Sequence, residues 1–135
     1  MSIVAQETSL KLQLRLAQLE KQESQRNKFL PFVKGMWPDF IAGRHHRIIA
    51  EKLERVASGE LKRLIINMAP RHTKSEFASF LFPAWMMGKN PSMKIIQATH
   101  TTELAVNFGV GSNLAGRGGD LIIIDDPHSE QTAMS

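Results

Sequence analysis

The sequence contains no cysteine, so neither a disulfide framework nor a thiolate metal site is available to it. It holds no apolar run near the roughly 18 residues that a membrane-spanning helix needs. Its first residues, MSIVAQETSLKLQLRLAQLEKQ, lack the apolar centre of a secretory signal and soon turn charged. No internal repeat or low-complexity tract is present. These absences set aside disulfide-stapled, membrane-embedded and repetitive classes, and they lead to the expectation of a cytoplasmic chain with no membrane partner. What remains is a length of 135 residues, ordinary for one domain, with 42% hydrophobic and 22% charged residues. That balance belongs to a globular chain able to bury a modest core.

Charge is more informative in its placement than in its sum. Lys and Arg number 17 against 13 Asp and Glu, a net of +4 and a pI near 9.7, which permits an anionic partner without requiring one. Arg44, His45, His46, Arg47, Lys52, Arg55, Lys62 and Arg63 crowd between residues 44 and 63, whereas acids gather towards the C-terminal end. His45 and His46 have no carboxylate or cysteine at metal-ligand spacing, so zinc is not expected there. His46 and Arg47 are expected to face a nucleotide or solvent.

Residues 8–27 are good helix formers, with Thr8 or Ser9 as N-cap. Leu12, Leu16 and Leu19 fall on one helical face, while Leu10, Leu12, Leu14 and Leu16 also alternate as in a strand. Pro31, Gly35 and Pro38 then break the pattern. An amphipathic helix is expected over 45–57, with Ile48, Ile49, Leu53 and Val56 inward and Gly59 as its stop. A short apolar strand over 63–68 leads into Ala69-Pro70-Arg71-His72-Thr73-Lys74-Ser75. A helix beginning near Lys74 runs through Phe77, Leu81 and Trp85 to Gly88, with Pro83 predicting a kink or an early end. A second strand is expected over 93–98, a helix over Thr101 to Asn107, and a third strand over Leu121 to Ile124. Nearly all-apolar strands alternating with helices predict a parallel sheet covered on both faces. Trp37, Trp85 and the phenylalanines read as core.

The chemistry concentrates at the ends of two strands. Pro70 to Ser75 lies where a strand feeds a helix, and backbone N–H groups there can cradle phosphate oxygens. Lys74 would reach the β- and γ-phosphates and Ser75 would offer its hydroxyl to Mg²⁺. Thr73 stands where the usual phosphate loop has its second glycine, and Met68 where it has its first. A β-branched residue disfavours positive φ, so this loop is expected to take another geometry or to hold phosphate less well. Asp125 and Asp126 follow the third strand. The first suits Mg²⁺ held through water, and the second suits an attacking water; the pair also suits a solvated turn before Pro127. Gly109, Gly111, Gly116, Gly118 and Gly119 surround Arg117, either as a plain connector or as a basic loop against DNA phosphates or a neighbouring subunit's nucleotide.

Three separated blocks, LKRLIINMAPRHTKSEFAS, MKIIQATHTTELA and GSNLAGRGGDLIIIDDPHSEQ, together with the upstream RHHRIIAEKLERVASGE, resemble the ATPase domain of phage terminase large subunits over roughly residues 29–132. The resemblance implies an α/β fold, a partial RecA-like P-loop NTPase domain with a parallel sheet of about three strands flanked by helices and preceded by N-terminal helices. Residues 1–28 would form a helical extension and 29–135 the ATPase part. The activity implied is ATP hydrolysis driving double-stranded DNA into a procapsid in the host cytoplasm, with ATP and Mg²⁺ as cofactors. The implied partners are DNA, the portal protein, the small terminase subunit and further copies in a ring. Carried over by residue, Arg71, His72, Thr73, Lys74 and Ser75 would bind the nucleotide. Ser75 and Asp125 would serve Mg²⁺, and Asp125 and Asp126 catalysis, with Asp126 where many relatives have glutamate.

Terminases of this kind carry several dozen further residues where Asn107-Phe108-Gly109 here meets Val110-Gly111-Ser112, and a coupling motif and an RNase H-like nuclease domain beyond Asp126. A shortened motor domain is the expectation, inactive in hydrolysis on its own. Three other readings stay open: a different ATPase acting on nucleic acid, such as a helicase-like protein, a non-catalytic DNA-binding or assembly fragment using the basic 44–63 region, and a truncated gene product with no function of its own.

Overall fold

The structure, a computed structural model, describes residues 3–69, 71–99 and 118–125. In chain order it has α1 (Ile3–Asn27), α2 (Phe29–Met36), α3 (Arg44–Ala57), a π-helical segment (Ser75–Leu81), α4 (Phe82–Lys89), β1 (Ile95–Thr99) and β2 (Leu121–Asp125). The expected helix over Thr101 to Asn107, the junction near Gly109 and the loop around Arg117 lie outside the described residues.

This arrangement overturns the expected fold class. Of the described residues 61% are helical, and the sheet has two strands, so a RecA-like domain built on a three-stranded sheet is not what forms. The missing strand is 63–68. Leu64, Ile66 and Met68 are half-buried while Ile65, Asn67 and Ala69 are exposed, the alternation of a strand. Among the described residues, however, the segment joins no ladder. Apolar alternation encodes a preference for extended backbone but supplies no partner, and Ile65 stays 93% exposed. Full covering of the sheet also fails, because Ile122 and Ile124 on alternate positions of β2 face outwards.

β1 and β2 pair in parallel, with Ile95 opposite Leu121 and Thr99 opposite Asp125. Their start is pinned by Asp120, whose carboxylate accepts from the Lys94 N–H at 2.8 Å while its own N–H donates to the Lys94 carbonyl at 2.8 Å. Ile95 joins the main core, and Asp125 ends its strand.

That core is an aromatic cluster. Phe29, at the first residue of α2, is fully buried and meets Phe77 edge-on at 4.9 Å, Phe82 at 5.5 Å and Trp85 at 5.5 Å. Val33, Ala50, Leu53 and Met86 complete it. α2 forms despite Pro31 because its ring lies in the first turn, where no intrahelical N–H bond is required. The orphan Phe29 N–H is satisfied from another helix: Glu54 Oε1 of α3 accepts it at 2.9 Å, while Oε2 holds Lys28 at 3.0 Å. α3 ends as its sequence predicts, at Gly59 with φ of 76°, in the left-handed region that glycine enters without strain.

Pro83 does not stop its helix. It lacks the N–H that would bond the Ser79 carbonyl, and the preceding turns widen instead, with the Phe82 N–H reaching the Phe77 carbonyl in π fashion. The helical run thereby continues from Lys74 to Lys89. α1 buries none of its residues. It is held at its C-terminal end, where the Trp85 indole N–H donates to the Gln25 carbonyl at 3.1 Å.

Candidate functional site

Three segments meet in front of the π segment: the turn 71–73, the N-terminal turn of α3, and the end of β2. Thr73 has φ of 56° and Arg71 of 65°, both in the left-handed region. Thr73 therefore adopts the kind of backbone that a glycine would supply at this point of a phosphate loop, against its β-branch. Such a non-glycine residue carries a cost on the order of 1–3 kcal/mol and persists only where its surroundings impose it. The branch at Thr73, expected to give the loop another geometry or a weaker hold on phosphate, does not keep the residue out of positive φ. Lys74 then returns to right-handed helical angles (φ −55°, ψ −52°), and the Thr73 carbonyl accepts the first helical bond, from the Phe77 N–H at 2.9 Å.

The surroundings that hold Thr73 are specific. Its hydroxyl donates to the His72 carbonyl at 2.7 Å and lies 2.7 Å from His46 Nε2. His46 Nδ1 accepts the Gly43 N–H at 3.0 Å, at the start of α3. The ring is 6% exposed and packs edge-on to Phe40 at 4.7 Å and against Phe77 at 5.3 Å. His46 thus faces neither solvent nor an open nucleotide site, contrary to the sequence reading, while Arg47 is exposed.

Lys74 Nζ lies 3.7 Å from Asp125 Oδ1. Both side chains are mostly buried, at 25% and 15% exposure. The strand end and the loop are thus joined through the two residues that motif spacing singled out. Ser75 is the first residue of the π segment and half-buried; Arg71 and His72 are exposed. The His72 ring rests 5.9 Å from that of His45. Asp126 lies outside the described residues.

The donor set suits a magnesium polyphosphate. Among the described residues no group of three or more His, Asp or Glu could hold a metal by itself. Mg²⁺, though, is ordinarily bound by one or two carboxylates with substrate phosphates and water supplying the rest. Asp125 and the Ser75 hydroxyl would hold it, and Lys74 would meet phosphate charge. The sequence pointed to Lys74, Ser75 and Asp125 as candidates but not to His46, which lies against the loop. The available signal was a histidine three residues after Gly43, at a position where a side chain accepts the capping N–H.

Burial holds His46 below the ordinary histidine value of 6.5, the neighbouring charge of His45 adds to this, the His72 carbonyl opposes it and the His72 ring lowers it further. The folded state then binds fewer protons than the unfolded one as pH falls below 6.5. Stability contributed by neutral His46 is present above 6.5 and is lost as pH descends towards its folded value. Urea midpoints measured between pH 7.5 and 5 are expected to fall, and to fall less in His46→Phe, which cannot titrate.

No protein-family model, curated protein or solved structure matches the chain.

Proposed function

We propose that the chain binds Mg-ATP through the Thr73–Ser75 loop and Asp125, as the ATP-binding part of a terminase-type motor that packages double-stranded DNA. The observation that carries this reading is the approach of Lys74 to Asp125 at 3.7 Å, across 51 positions of sequence. A half-buried lysine beside a strand-end carboxylate, directly after a left-handed residue, places a cation for phosphate next to an oxygen donor for Mg²⁺. The likeness of the three sequence blocks to terminase ATPase domains supplies the DNA-packaging context. Among the described residues no helix is long and apolar enough to cross a membrane.

The test separates metal from phosphate. Wild type is expected to bind ATP more tightly with Mg²⁺ than with a chelator, by about tenfold, the effect of about 1.4 kcal/mol. Asp125→Asn is expected to lose most of that enhancement while binding metal-free ATP no more weakly, because a carboxylate facing the phosphates has been neutralised. Equal Mg²⁺ enhancement in both proteins would reject the role given to Asp125. A folded chain that binds DNA in a salt-sensitive manner, indifferent to ATP, would favour the assembly-fragment reading and the basic 44–63 region instead.

A further inference from the structure

His46 is 27 positions away from Thr73 in sequence, yet its ring is bonded at both nitrogens, and the two bonds together fix its state. Gly43 N–H is a donor, so Nδ1 must be the unprotonated, accepting nitrogen. The ring proton of neutral imidazole then sits on Nε2, which donates to Thr73 Oγ1 at 2.7 Å. The Thr73 hydroxyl, having accepted, passes its own hydrogen to the His72 carbonyl at 2.7 Å. Each hydrogen in this chain of bonds has an acceptor, the His72 carbonyl serving the His46 ring as well as the Thr73 hydroxyl, and its direction runs from α3 towards the loop.

This chain of bonds ends on the residue that most needs support. Thr73 has φ of 56° immediately before Lys74, and its branched side chain opposes that backbone. The bonds fix the hydroxyl from both sides, and Phe77, whose N–H holds the Thr73 carbonyl, also packs on the His46 ring. The His46 ring therefore bears on Thr73 twice, directly at the hydroxyl and, through Phe77, at the carbonyl.

We propose that His46 is a positioning residue of the phosphate loop: locked by Gly43 as the Nε2–H tautomer, it holds Thr73 in the left-handed backbone that glycine provides in ordinary loops. The functional consequence rests on the nucleotide-site reading; the clamp itself does not. Thr73 and His46 act as a pair, so a glycine at 73 makes the histidine dispensable.

A double-mutant cycle decides this, with His46→Phe chosen because it keeps an aromatic ring between Phe40 and Phe77. His46→Phe is expected to weaken Mg-ATP binding about tenfold in the wild-type background and less than about twofold when Thr73→Gly is already present. Equal losses in both backgrounds would show that His46 serves only the core and would overturn the proposal. Thr73→Val approaches from the other side, keeping the branch but removing the hydroxyl. It is expected to match His46→Phe and not to add to it; additive losses contradict the clamp.

The same cycle in urea unfolding needs no nucleotide, and it is expected to show a coupling of about tenfold in the unfolding constant. A chain that binds no ATP yet shows this coupling would sink the nucleotide reading and leave the clamp. A chain that binds ATP with no coupling would do the reverse. Side-chain nitrogen spectra of the wild type at neutral pH are expected to show His46 protonated on Nε2 alone; a proton on Nδ1 would refute the assignment.

Discussion

Phe29→Ala is expected to cost about 3–5 kcal/mol of stability, the range for emptying a buried phenylalanine site. Phe29 is fully buried at the point where α2, the π segment and α4 converge, with Phe77, Phe82 and Trp85 around it at 4.9, 5.5 and 5.5 Å. Three aromatic rings cannot all move inward to fill the space, so the cavity persists and its lining loses contact. A domain of ordinary size has about 5–15 kcal/mol in total, and one substitution therefore removes a large share. The measurement is the urea midpoint at unchanged slope. Phe80→Ala is the control, since Phe80 is 68% exposed and surface changes of this kind fall within about 0.5 kcal/mol. Equal effects at the two positions would mean that the aromatic cluster is not the core.

Lys74→Ala is expected to weaken Mg-ATP binding by about 10- to 100-fold. Hydrogen bonds to charged groups contribute about 1.5–3 kcal/mol, and each 1.4 kcal/mol is a factor of ten. The loss has two parts. The phosphates lose a cation, and Asp125, 15% exposed and 3.7 Å from the ammonium, loses the partner that holds it in place. Lys74→Arg is expected to recover little, because a planar guanidinium presents its donors in a different geometry from a compact ammonium. A Lys74→Ala chain that binds as wild type does would remove the central residue from the site.

Much of the helical scaffold was legible because its cause is local. Ile49, Leu53 and Val56 recur at helical spacing and Gly59 stops α3 where expected, although Ile48 turns outwards while His46 and Ala50 take the buried positions. Lys74, Ser75 and Asp125 were singled out as motif residues at the ends of two expected strands; only Asp125 ends a strand in the structure, and the fold brings Lys74 and Asp125 together. The sheet was not legible. Residues 63–68 have a strand's alternation, but pairing depends on what lies alongside, and among the described residues only 95–99 and 121–125 pair. Pro31 read as a breaker because its place in the first turn of α2 was not visible from sequence. Thr73 read as an obstacle for a related reason. Its branch disfavours positive φ when considered alone, and the histidine that overrides this preference comes from a different helix.

Residue-resolved amide spectra during a Mg-ATP titration test whether Thr73, Lys74, Ser75 and Asp125 form one Mg-nucleotide site. Saturable shifts are expected at Thr73, Lys74, Ser75 and Asp125, and they vanish in a folded Lys74→Ala chain. A folded wild type with no shifts at these amides, or with shifts confined to the basic 44–63 surface and erased by salt, would contradict such a site.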